Sequence, residues 1–162
     1  MTKLFKVLDE DGNAFHGGLG KWHLPEGDNP GEWMPPIGGE LVPCQNGYHL
    51  CRERDLVSWL GPAIYEAEYR GERIDSNDKV VVREARLLRK VTAWNERTAR
   101  LFACDCAEHI LHFFENRRPD DCRPRRAVEV ARRYAEGEAT DEELNAARNA
   151  AKDAGAAAWA AA

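Results

Sequence analysis

Residues 94–115, WNERTARLFACDCAEHILHFFE, decide how this chain divides. Ala99, Phe102, Cys106, Ile110, Phe113 and Phe114 recur at three- and four-residue spacing, which predicts one apolar face on a long helix. Each helical residue turns about 100°, so Cys104 and Cys106 point about 200° apart and cannot serve one metal ion. The spacing puts Cys106 in the core as a small hydrophobe and Cys104 on the flank near Leu111. Asp105, Glu108, His109 and His112 share one arc at i, i+3, i+4 and i+7. Carboxylates and imidazoles on such an arc can ligate a metal, but no HExxH or second HxxH closes a site. The arc therefore reads as a polar surface for a partner, and no metal is expected.

Outward from this helix the composition changes near residue 92. The chain after it is rich in Ala, Arg and Glu, and two more helices follow. Pro124 suits the first turn of RPRRAVEVARRYAEG (123–137), which Gly137 closes. Thr140 and Glu143 form a capping-box pair ahead of DEELNAARNAAKDAGAAAWAAA (141–162). Short connections predict three antiparallel neighbours. Alanine buries little area, so the tail needs a close partner, with Trp159 as its one large anchor. That partner is the first helix or, alternatively, a second copy of the chain, giving a homodimer through the Ala-rich tail. Between the first two helices, ENRRPDDCRPRR (115–126) alternates Arg with Asp and reads as an ion-paired corner rather than a phosphate grip.

Before residue 92 lie short runs broken by Gly and Pro. KLFKVLDEDGNAFHGG (3–18) predicts a hairpin at Asp11-Gly12. Gly17 to Gly39 carries too many Gly and Pro residues for regular structure. Long loops are often functional, so Trp22, His23 and Trp33 are candidate contact residues, unless the tryptophans fold back over the core. ELVPC (40–44) and GYHLC (47–51) read as strands, and RERDLVSWLG (52–61) as a two-turn helix. AIYEAEYRG (63–71) is an alternating strand, and KVVVREARLLRKV (79–91) is strand through about Val82. The expected fold is α+β: residues 1–91 hold a small mixed or antiparallel sheet with a short helix, and residues 92–162 hold three helices.

The bulk numbers are those of an ordinary soluble chain. It has 162 residues, 43% hydrophobic and 31% charged, with a net charge of -5. No apolar run approaches the roughly 20 residues that cross a bilayer, and MTKLFKV lacks the apolar core of a secretion signal. A cytoplasmic location is expected, with no membrane. Five cysteines and no export signal predict free thiols. Acidity spread over both halves gives no electrostatic footprint for nucleic acid.

Three resemblances rest on these motifs. WNERTARLFACDCAEHIL (94–111), PDDCRPRRAVEVARRYAEGEAT (119–140) and AARNAAKDAGAAAWAAA (146–162) resemble the helical Imm-5-like module of immunity proteins. The Asp-Asp-Arg-Pro-Arg corner is its most specific part, here interrupted by Cys122. The resemblance implies binding and neutralising a toxin. KLFKVLDEDG (3–12), PCQNGYHLCRERDLVSWL (43–60), YEAEYRG (65–71) and DKVVVREARLLRKV (78–91) are similar to an uncharacterised domain of bacteriophage and actinobacterial genomes, which implies a phage or prophage origin. His16-Gly17, Gly47-Tyr48-His49 and Glu68 or Glu84 fall in the order of His-Tyr-Glu ADP-ribosyltransferases. That likeness implies NAD as cofactor, with His16 on the ribose, Tyr48 on the nicotinamide and Glu68 beside the developing oxocarbenium ion. Without it, His49 is a half-buried strand histidine and His16 a hairpin-end residue bonded to backbone. The leading expectation is a phage-associated module that needs no cofactor and binds another protein, a toxin or host defence component. The contact surfaces expected are the Trp22 to Trp33 loop and the polar arc.

Overall fold

A computed structural model describes residues 3–18 and 20–160, without the side chains of residues 157–160. Two compact units emerge, Met1–Trp94 and Asn95–Ala162.

The first unit is a closed four-stranded antiparallel barrel in the order β1-β2-β4-β3, with β1 (Leu4–Leu8), β2 (Tyr48–Arg52), β3 (Ala63–Asp75) and β4 (Val80–Lys90). Closure pairs β1 with β3, which leaves that side of the sheet no open edge. β1 is apolar on both faces for a structural reason. Leu4 and Leu8 join the interior with Leu50, Tyr65, Val80, Val82 and Leu87. Phe5 and Val7 pack outside with Ile64, under Leu56, Trp59 and Leu60.

β3 and β4 run longer than their alternation suggests. Gly71 (φ 78°) begins a bulge at which two β3 residues oppose Arg83. The inward positions of β4 therefore step from Val80 and Val82 to Ala85 and Leu87, and a second register shift accommodates Leu88. A period of two that is broken and resumed looks irregular in one dimension.

Three local readings need correction. The predicted hairpin has one strand only. Asp9 Oδ1 accepts the Asp11 and Asn13 amides, and the return leg forms only single bridges at Leu8–Ala14 and Asn13–Lys21, because β1 pairs with β2 and β3 instead. ELVPC contributes a turn closed by a Val42–Asn46 bridge rather than a strand. RERDLVSWLG forms a 3₁₀ turn over Glu53–Ser58 and no α-helix.

The Gly17 to Gly39 segment has no regular structure, yet it is not free. The amides of Gly31, Met34 and Ile37 donate to the carbonyls of Leu87, Ala85 and Arg83 at 2.9, 2.9 and 3.0 Å. Every third loop residue thus bonds an alternate residue of β4, covering the stretch that β2 leaves unpaired. Met34 and Trp22 enter the barrel core with this strap.

The second unit contains α1 (Glu96–Glu115), α2 (Arg123–Ala135) and α3 (Asp141–Ala160). Asn95 and Thr98 cap α1 reciprocally, and Thr140 and Glu143 do the same for α3. Pro124 lies in the first turn of α2, and Gly137 follows its end at φ 81°. The helices are not three mutual neighbours. α2 is central and packs against both α1 and α3, and its Ala127, Val130, Ala131 and Tyr134 meet Leu144 and Ala147 of α3. As far as Ala154, which is buried, α3 packs on α2, where the first helix was expected. The Trp159 side chain lies outside the described residues.

Candidate functional site

With one helix as its neighbour, α1 can bury only one stripe. That stripe is Cys104 and Leu111, with Cys104 Sγ 3.8 Å from the Val128 carbonyl. The aromatic stripe expected in the core is exposed: Phe102 at 38%, Ile110 at 59% and Phe113 at 66%, with Cys106 exposed among them. The roles of Cys104 and Cys106 are thus reversed. The physical reason is that α2 spends its apolar face on α3 and meets α1 largely through polar contacts, with Arg132 and Arg125 on α1 carboxylates and Arg100 of α1 over the Tyr134 ring.

Those charges come from the predicted polar arc, which divides. Arg132 of α2 donates to Asp105 at 2.9 Å and to Glu108 at 2.8 Å, so both carboxylates serve the α1–α2 seam. His109 and His112 stay exposed on the flank of the aromatic stripe, and the His112 and Phe113 rings stand 4.0 Å apart. Among the described residues no cluster of His, Cys, Asp or Glu is fit to hold a metal ion. The 115–126 corner is ion-paired: Arg125 donates to Glu115 at 2.5 and 2.8 Å, and Arg123 to Asp121 at 2.8 and 2.6 Å. The Arg123 hydrogen bonds hold the Asp121 carboxyl down to about 2.

In the barrel unit the expected contact residues are largely used internally. Trp22 is buried and faces Tyr48 edge-on at 5.3 Å, so its indole is core and is not offered to a partner. Trp33 is half-buried beneath the guanidinium groups of Arg70 and Arg86, at 4.4 and 4.8 Å from its ring. His23 is exposed. The three residues of the transferase likeness are not brought together. Tyr48 and His49 alternate to opposite faces of β2, and the Tyr48 hydroxyl donates to the Pro35 carbonyl at 2.7 Å. Glu68 is held by Arg86 at 2.5 Å, Glu84 by Arg70 at 2.5 Å, and His16 Nε2 by the Trp59 carbonyl at 2.6 Å.

His16 instead lines a pocket of about 300 Å³ with Lys6, Cys44, His49, Trp59 and Lys79. Cys44 adopts φ 65°, the left-handed region that a side chain rarely enters. Its amide donates to His49 Nε2 at 2.8 Å, and Lys79 Nζ reaches its Sγ at 3.2 Å while lying 4.5 Å from the Trp59 ring. Burial, then the charges of Lys6 and Lys79, keep His49 below the usual imidazole range. Burial pushes the neighbouring Cys51 thiol up to about 11.

Lys6 is the residue sequence reasoning missed. It shares a strand face with Leu4 and Leu8, and a lysine at inward parity is the signal that was available. Its ammonium donates to the His49 carbonyl at 3.2 Å and lies 5.1 Å from the Trp22 ring, with no ion pair among the described residues. Desolvation lowers its pKa to about 8. The folded chain thus releases this proton earlier than the unfolded chain does. Near neutral pH both states hold it and the burial penalty is complete; from about pH 8 the unfolded state binds more protons, and stability from this group rises. Lys6→Met is expected to melt higher than the parent at pH 7, with the gap narrowing between pH 8 and 9 in paired thermal melts.

No helix among the described residues is long and apolar enough to cross a membrane. No curated protein and no solved structure matches the chain. Residues 89–162, the helical unit together with the end of β4 and the residues that follow it to Trp94, match the family described as Imm-5 like putative immunity protein.

Proposed function

We propose that the helical unit is an immunity-type module that binds another protein, a toxin or a host defence component, through the outer face of α1. The observation that carries this reading is the exposed stripe of Phe102, Cys106, Ile110 and Phe113 within the segment that matches the immunity family. A contiguous apolar strip on a helix, rimmed by polar side chains, has the form of an interaction surface and costs solubility without a partner. His109 and His112 supply polar rim contacts. The Trp22 to Trp33 loop has a smaller part in this reading, because its tryptophans are committed to the barrel.

In-cell photocrosslinking separates this surface from general stickiness. A photoreactive residue at position 110 is expected to give one discrete protein adduct. The same probe at position 148, on an exposed part of α3, gives none. Phe102→Ser combined with Phe113→Ser should cut the adduct at least about tenfold, the loss of two exposed apolar side chains that the partner covers being worth more than about 1.4 kcal/mol. Equal adducts from positions 110 and 148, or no effect of the double substitution, would remove the proposed surface.

A further inference from the structure

The pocket at the barrel wall lies in the unit that the family match leaves almost untouched. None of the described residues lining it carries a carboxylate, whereas two lysines and two histidines do line it. Lys79 has Asp78 at 3.6 Å, but that aspartate does not line the cavity. Lys6 has only the His49 carbonyl and the face of Trp22. An ammonium withdrawn from water with no anionic partner is a standing cost to the fold, and an anion in the cavity would turn that cost into attraction. Both lysine charges are felt at His49 and at Cys51, so they act on the same small space. At about 300 Å³ that space is at the lower end for ligand pockets and suits a small molecule rather than a peptide.

We propose that this pocket binds a small oxyanion, a carboxylate or phosphate group, between the ammonium groups of Lys6 and Lys79 and against the thiol of Cys44. Trp59 forms the wall on which Lys79 is laid, which fixes one of the two charges in place. His16 and His49 already have backbone partners and shape the cavity rather than carry its charge. Cys44 is exposed, so its thiol reports directly on occupancy.

The test follows the rate at which the full chain's Cys44 is alkylated by iodoacetamide, read by peptide mass spectrometry. Inorganic phosphate and malonate are the two arms, each at ionic strength matched with chloride. At least one arm is expected to slow Cys44 saturably while Cys106, exposed on α1, is unaffected. The arm that protects at lower concentration distinguishes phosphate from carboxylate. Lys6→Met abolishes the protection, and Lys79→Met weakens it about tenfold when each variant is compared with itself without anion. Because Lys79 touches the thiol, only this internal ratio is read. Amide shifts in the parent chain on adding the anion should centre on Cys44, Gly47 and Lys79, a measurement that needs no variant to fold. Cys44 rates indifferent to both anions, protection that persists in Lys6→Met, or shifts spread over the surface would each overturn the assignment.

Discussion

Arg52→Lys is expected to destabilise the barrel by about 2–4 kcal/mol, although it conserves charge. Arg52 is 8% exposed. Its guanidinium donates to Asp55 at 2.5 Å, Asp75 at 3.2 Å, and the Ser76 and Asn77 carbonyls at 2.7 and 2.8 Å. One planar fork thus ties the end of β2 to the 3₁₀ turn and to the β3–β4 connection. A lysine has a single nitrogen and cannot span these four part-buried acceptors, so at least one of these hydrogen bonds to the buried end of β2 is lost. Urea unfolding followed by tryptophan fluorescence measures the loss. Arg89→Lys, in the exposed pair with Glu66, should change the midpoint little. A loss below about 0.5 kcal/mol for Arg52→Lys would mean the network is not structural.

Gly31→Ala should cost a similar amount, about 2–4 kcal/mol, by a different route. A Cβ at Gly31 would collide with the backbone carbonyl of His23, and backbone cannot rotate aside as a flexible side chain can. The Gly31 amide is bonded to Leu87, so relief means loosening the strap that covers β4 and carries Met34 into the core. Hydrogen exchange at Gly31, Met34 and Ile37 is expected to accelerate together, alongside the drop in urea midpoint. Gly38→Ala is the control, since nothing lies near the position its Cβ would take. If the two substitutions behave alike, the collision is being absorbed and the strap is softer than its hydrogen bonds imply.

The difference between what was legible and what was not is a difference between local and long-range physics. A capping pair, a proline in a first turn and a glycine after a last one act within four residues, so α2 and the start of α3 could be read directly from Pro124, Gly137 and Thr140. α1 could be read from the three- and four-residue spacing of its apolar side chains, while its Asn95–Thr98 cap came only with the structure. The strand character of residues 63–71 and 80–82 was equally local. The strap was not, because its partners are carbonyls of β4 some fifty residues away, and its Gly and Pro content conceals every-third-residue bonding. Nor could alternation alone reveal the bulge at Gly71 that carries β4 through to Lys90.

The amino-acid sequence by itself determined the α+β class, the three helices with the end signals of the second and third, and the ion-paired corner, since propensity, capping and neighbouring charges operate along the chain. Only the tertiary structure decided which face of α1 is buried. Periodicity marks an apolar stripe but does not supply a helix to cover it, and once α3 took the apolar face of α2, Phe102, Ile110 and Phe113 were left outside. The same holds for the pocket. Lys6, Cys44, His49 and Lys79 are spread over more than seventy residues, and barrel closure, which no single segment encodes, brings them to one cavity.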